Sequence, residues 1–142
     1  MAIDDKKYAK FKISEFGNWD LFLLENQYFL GRGYIWAKRK NAVDFLDMTP
    51  KEKDEFFYVA REFRRVLREE FNPNIFNYYA AGNVSPHLHV HIIPRYETPR
   101  VFDGVEFKDD IFGKNHSFYD KNFKIPKETL LKIRNTLRSR LK

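Results

Sequence analysis

The sequence predicts an α+β domain, with an antiparallel sheet of about five strands covered in part by two main helices. Three stretches carry that expectation. Ser85-Pro86-His87-Leu88-His89-Val90-His91-Ile92-Ile93-Pro94-Arg95 alternates histidine with aliphatic residues at the period of a strand. Thr49-Pro50-Lys51-Glu52 opens a helical pattern that runs to Phe71, and Pro126 opens a second one. The 142 residues suffice for one domain with a buried core. Residues 1–142 are therefore read as a single unit, with its core at about 18–95 and a C-terminal extension and helix at 96–142.

Taken in order, residues 1–18 read as a short helical or irregular lead-in that ends in a turn at Gly17-Asn18. Asp20 to Leu24 reads as a strand, Glu25-Asn26-Gln27 as its turn, and Tyr28 to Ala37 as the returning strand. Gly31 and Gly33 interrupt that return, either to admit a ligand or to mark a bulge. From Thr49 the signals are a capping threonine, a proline at the first helical position and a glutamate placed to return the bond. Phe56, Val59, Ala60, Phe63, Val66, Leu67 and Phe71 then recur at helical spacing until Asn72-Pro73 stops the helix. This helix is expected to cover the aliphatic side of the histidine strand.

Ile75 to Tyr79 reads as a strand paired with the histidine strand through a turn at Gly82. Asn77 lies beside the histidines only if it shares their face. Pro94 is expected to end the histidine strand. Residues 96–125 read as a long polar loop, and loops of this length are often functional lids. Its segment 113–119 could reach over the histidines of its own chain or of a partner. His116 is read first as a surface residue and second as a substrate contact. After Pro126, Leu130, Ile133, Leu137 and Leu141 form the buried stripe of the last helix. Basic residues near its C-terminus suit the helix dipole.

The histidine strand also carries the chemistry. His87, His89 and His91 are three of the four histidines of the chain and fall on one face, roughly 6.5–7 Å apart. Such a row matches a polyphosphate. One imidazole can attack phosphorus while its neighbours donate hydrogen bonds to phosphate oxygens. Two or three of these rings could instead ligate zinc or iron, although one straight strand wraps poorly around a single ion.

Composition narrows the classes further. With no cysteine, disulfides and thiolate metal sites are excluded, and the chain suits a cytoplasmic protein. Met1 to Lys7 lacks the apolar core of a signal peptide, and no run approaches membrane-spanning length. The net charge of +6 favours anionic partners, and lysine and arginine are spread along the chain rather than gathered into one block, so nucleotides and nucleic acid both fit the composition, with nucleic acid the less expected partner. Most of the aromatic residues, 18% of the chain, are read as core.

His-Leu-His-Val-His-Ile-Ile-Pro-Arg at 87–95 resembles the signature of the histidine triad (HIT) superfamily, on its hydrolase-like side. The resemblance implies a diadenosine polyphosphate hydrolase or nucleoside phosphoramidase type of fold and activity. It makes His89 the nucleophile at the α-phosphorus, with His87 orienting it and His91 on the phosphate oxygens. It further implies that Asn77, Gly82 and Asn83 bracket the α-phosphate, that Ser85, following Val84 where a hydroxyl is common, is the hydroxyl near the leaving group, that Asn26 holds the ribose and that Tyr34 lines the base pocket. His91 stands where the nucleotidylyltransferase branch resembles Gln, which favours hydrolysis. A purine nucleotide is the implied partner, in a homodimer joined edge to edge through its sheets. The covalent step requires no cofactor, since imidazole is the nucleophile, while Mg²⁺ can accompany a polyphosphate. Two other functions fit the same residues: a histidine-ligated metalloprotein and a non-catalytic nucleotide-binding regulatory module.

Overall fold

A computed structural model describes residues 8–141, and its main sheet is laid out around the histidine strand. In chain order the strands are β1 (Lys12–Glu15), β2 (Trp19–Leu23), β3 (Gly33–Ala37), β4 (Ile75–Tyr79) and β5 (His89–Arg95). Their spatial order is β1-β2-β3-β5-β4, with every neighbouring pair antiparallel. The expected five-stranded sheet is thus present, and β5 lies between β3 and β4.

Helix α1 (Pro50–Phe71) forms where the capping box places it. The Thr49 hydroxyl accepts from the Glu52 N–H at 3.1 Å, and the Glu52 carboxylate accepts from the Thr49 N–H at 2.8 Å. Asn72 ends the helix in the left-handed region, at φ 49°. Val59, Phe63, Val66 and Leu67 are fully buried in the core that contains Leu88, Val90 and Ile92. The helix therefore covers the aliphatic side of β5, as its pattern predicts, and leaves the histidine side to other elements. Helix α2 (Lys127–Arg140) adds Leu130, Ile133 and Leu137 to the same core.

Four expectations are corrected. Residues 1–7 of the lead-in lie outside the described residues, but its later part contains β1, a strand too short for its period to stand out. The return strand starts only at Gly33, because Gln27 organises residues 24–32 into a turn. Its buried amide donates to the carbonyls of Leu24 and Arg32 at 2.7 and 2.9 Å and accepts from the Gly31 N–H at 2.7 Å. Pro94 does not end β5; it pairs opposite Phe76, and β3 has already stopped at Ile92, so one flank is free of ladder bonds. Inside the expected long loop, β6 (Arg100–Phe102) and β7 (Val105–Phe107) form a hairpin turned by Asp103-Gly104, both at positive φ. Among the described residues no helix is long and apolar enough to cross a membrane.

Candidate active site

Antiparallel register places the site's side chains in cross-strand rows. His91 lies opposite Tyr34 on β3 and Tyr79 on β4, and Tyr34 lies opposite Phe22 on β2. The neighbouring row runs from His89 to Trp36 to Asp20. Side chains alternate along a strand, so these residues share one face. Tyr34 stacks on Phe22 at 5.3 Å and lies 5.5 Å from the His91 ring. Its hydroxyl is pushed well above the ordinary phenol range by burial, so it stays neutral.

The hydrogen bonds assign the ring protons. His87 precedes the strand proper, but Leu88 is stitched on both sides: its N–H donates to Ala42 and its carbonyl accepts from Ala37. The His87 Nε2–H donates to the Ala37 carbonyl at 2.5 Å, and its ring stacks on Trp36 at 4.4 Å. A carbonyl can only accept, so His89, whose Nδ1 is 2.7 Å from the His87 oxygen, carries its proton on Nδ1. Nε2 of neutral His89 is then the lone-pair nitrogen. His91 has the opposite arrangement: its Nδ1 is 3.4 Å from a guanidinium nitrogen of Arg32, which can only donate, leaving the proton on Nε2.

The same surroundings favour the uncharged form of His89 and His91. Burial lowers the pKa of His89, opposed by the bond to the His87 carbonyl and assisted by the His87 charge. Burial lowers His91 further, to about 3, and the charges of Arg32, His89 and His116 act in the same direction. At neutral pH the triad thus offers a nucleophilic nitrogen at His89 and an N–H donor at His91, 5.3 Å apart between ring centres.

Beyond His91 the histidine face is closed by the C-terminal segment. Ile93 packs with Tyr28 and Phe29, against which Tyr119 and Phe123 lie. Arg95, also on this face, is 2% exposed and clamps the segment. It bonds Asp109 at 2.8 and 3.3 Å, the carbonyls of Ile111 and Lys114 at 2.9 Å each, and Asn77 Oδ1 at 2.9 Å. His116 is half-buried, 4.7 Å from the Tyr79 ring, and reaches the site from its own chain.

The other expected residues divide. Asn77 does share the histidine face, with its oxygen committed to Arg95. Gly82 lines a cavity of 260 Å³ together with His87 and His89. Asn83 is exposed, and neither Asn83 nor Ser85 belongs to that lining. Asn26 spends its amide on the fold, accepting from the Tyr28 N–H at 2.9 Å and donating to the Asp120 carbonyl at 3.1 Å. Gly31 and Gly33 serve packing. A Cβ on Gly31 would lie 2.5 Å from Leu67, and one on Gly33 would lie 2.6 Å from the Phe22 carbonyl and 3.0 Å from Phe63.

Two residues were not foreseen. Trp36 forms a floor for His87 and His89, with ring centres 4.4 and 5.4 Å away. Its position could have been found by pairing the strand after Gly33 with the histidine strand. Arg32 is 5% exposed, and its signal was only a lone charge between two glycines in an aromatic run. Among the described residues, no group of three or more His, Cys, Asp or Glu side chains is arranged to hold a metal ion.

Comparison with known proteins agrees with this geometry. Residues 35–98 match the HIT domain. The chain is 35% identical over 69 residues to an uncharacterized HIT-like protein of Mycoplasma genitalium, covering 45% of this chain and 49% of that protein. It is 29% identical over 95 residues to the bis(5'-adenosyl)-triphosphatase of Saccharomyces cerevisiae, covering 63% and 46%. The chain thus spans about half the length of these curated relatives. The fold is shared with a histidine triad protein of Sinorhizobium meliloti, at a TM-score of 0.79, 17% identity, and coverage of 99% and 96%.

Proposed function

From the membership of this chain in the histidine triad superfamily, on its hydrolase-like branch, we propose that it hydrolyses nucleotides at the α-phosphate through a nucleotidyl-histidine. The observation that carries the reading is the Nδ1–H of His89 on the His87 carbonyl, which aims an unprotonated Nε2 away from the main chain. In the first step Nε2 forms a bond to the α-phosphorus, and the bond from phosphorus to the leaving group breaks, its electron pair going to an oxygen that departs as a phosphate anion or to a nitrogen that takes a proton from solvent and departs as an amine. The His91 Nε2–H is the donor for the oxygens on which charge accumulates. In the second step water attacks phosphorus, the phosphorus–nitrogen bond breaks with its electron pair returning to His89 Nε2, and the proton of the water is released to solvent, so a nucleoside monophosphate leaves and neutral His89 is restored.

The substrate class is a dinucleoside polyphosphate or a nucleoside phosphoramidate with a purine base. Trp36 and Tyr34 supply aromatic surface beside the triad, and Gly82 borders the cavity next to His89. Asn77, Asn83 and Ser85 are the further phosphate-side candidates. The covalent step needs no metal because imidazole is itself the nucleophile; Mg²⁺ accompanies a polyphosphate as its counter-ion. A second copy of the chain pairs along β4. This is supported by the position of β4 at the sheet edge and by Ile75 and Tyr78, which are 48% and 53% exposed there.

The test is to incubate wild type and His89→Ala with diadenosine polyphosphates and adenosine phosphoramidate, with and without chelator, following AMP and intact protein mass. Chelator-resistant AMP release with an adenylyl adduct, lost by at least about 10³-fold in His89→Ala, is expected. Turnover by His89→Ala would refute the role. Nucleotide binding without wild-type turnover would point to a regulatory module.

A further inference from the structure

Arg32 has no counter-ion although it is buried. It is 5% exposed, and its Nε and Nη1 have no hydrogen-bond acceptor among the described residues. Its remaining nitrogen meets Nδ1 of His91 at 3.4 Å, and its guanidinium carbon sits 5.1 Å from the centre of the Tyr119 ring, whose neutral hydroxyl also interacts with the guanidinium. Burying a cation with unpaired donors is costly to a fold, and apolar residues of similar volume usually serve stability as well or better. Arg95 shows what a structural arginine looks like here, with a carboxylate and three further oxygen acceptors within 3.3 Å. The contrast requires another use for Arg32.

The position of Arg32 supplies that use. It projects from the Gln27-organised turn immediately before β3, and Gly31 and Gly33 on either side pack tightly under α1, which fixes where the side chain leaves the backbone. The groups facing His91 are Arg32, His89, His116, Tyr34 and Tyr79, and none of them is a carboxylate.

We propose that Arg32 is a positioning residue, holding His91 with its proton on Nε2 and lending positive charge through that ring to the α-phosphate oxygens. The inference rests on the hydrolase reading for its catalytic part. In the absence of Arg32 the imidazole can take either tautomer or turn over, and the donor aimed at phosphate is lost for part of the time. With Arg32 in place, the developing charge on phosphate completes the missing counter-charge of the guanidinium, so the interaction strengthens along the reaction coordinate.

The experiment uses the full chain labelled with ¹⁵N-histidine. Ring-nitrogen spectra of wild type are expected to show His91 with a protonated Nε2 and an unprotonated Nδ1, maintained as pH falls from 7 to 5. In Arg32→Met that single tautomer is lost, or the ring becomes protonated within the same range. kcat falls at least about tenfold while KM stays within about threefold. Arg32→Lys restores a cationic donor and is expected to recover kcat above the Met variant, whereas a packing role would favour Met. A proton on Nδ1 in the wild type overturns the proposal, as does an Arg32→Met protein with unchanged tautomer and kcat, or a Lys variant no better than Met. The wild-type spectrum decides the tautomer even if a variant fails to fold. Should wild type turn over none of the substrates, the hydrolase reading falls, while the spectra still decide whether Arg32 orders His91.

Discussion

The Nδ1 proton of His89 rests on the main-chain oxygen of His87, 2.7 Å away. The orientation of one triad member is thereby set by the backbone of another, and that backbone is in turn set by β3. The His87 ring is bonded to the Ala37 carbonyl and stacked on Trp36, while Leu88 exchanges bonds with Ala37 and Ala42. The triad is less a property of one strand than of the seam between two.

That seam has a signature in the pH profile. Burial lowers the pKa of His89, so its Nε2 keeps its lone pair below the ordinary histidine value of about 6.5. The acid limb of kcat/KM is expected to be centred below pH 6.5; a limb centred at or above 6.5 would contradict it.

His91 carries a stability signature of its own. In the fold it stays neutral down to about 3, whereas in the unfolded chain it takes a proton below about 6.5. The unfolded state therefore binds the proton first as pH falls. This contribution is intact above about pH 6.5 and is lost progressively between there and about 3. His91→Asn is expected to lose less Tm than wild type between pH 7 and pH 4.5, measured by calorimetry in matched buffers.

Trp36 is predicted to matter through its ring face. Trp36→Ala removes the surface on which His87 stacks and should reduce kcat about tenfold by loosening the ring that sets His89, with little change in far-UV circular dichroism. Trp19, the other tryptophan, is fully buried with its indole N–H on the Glu52 carbonyl at 2.9 Å. Trp19→Phe therefore isolates Trp36 as a fluorescent probe, which nucleotide should quench.

Gly33→Ala tests the packing reading of that glycine. The added methyl meets the Phe22 carbonyl and the Phe63 ring, and the backbone oxygen cannot rotate away. A loss of about 2–3 kcal/mol in chemical denaturation is expected. Were the glycine there to admit a ligand, KM would rise with stability unchanged.

The β4 edge gives the fifth expectation. Tyr78→Lys places a charge on a strand edge whose apolar side chains are exposed, and it should shift the protein from dimer to monomer in light scattering. A wild type that is already monomeric at micromolar concentration would remove the dimer from the account.

Much of this was legible in the sequence, for physical reasons that differ by element. The capping box at Thr49 and the stripe from Phe56 to Phe71 are local signals, and the helix follows them closely. The alternation of His with Leu, Val and Ile marked both the strand and its two faces. What escaped depended on partners distant in the chain. The turn at 24–32 is held by a single glutamine side chain, and nothing in Gln27 alone announces three bonds to main-chain groups. Asp103-Gly104 is a hairpin signal of ordinary strength, and its strands, at three residues each, are too short to show a period. The resemblance implies a ribose contact for Asn26, and the fold adds a bond from its amide to the carbonyl of a residue 94 positions away, which no local pattern announces. Arg32 and Trp36 gain their meaning only from the register of β3 against β5.

Arg95 has a bearing on where the working unit stops. The HIT match ends at residue 98, yet Asp109, Ile111 and Lys114, which neutralise and bond this guanidinium, all follow that point. A fragment trimmed to the matched segment would keep a cation in the wall of the triad and discard its carboxylate, a loss of about 3–5 kcal/mol for a broken buried pair. The smallest excisable piece therefore reaches past Lys114, and the stretch that carries the family signature is shorter than the stretch that lets it fold.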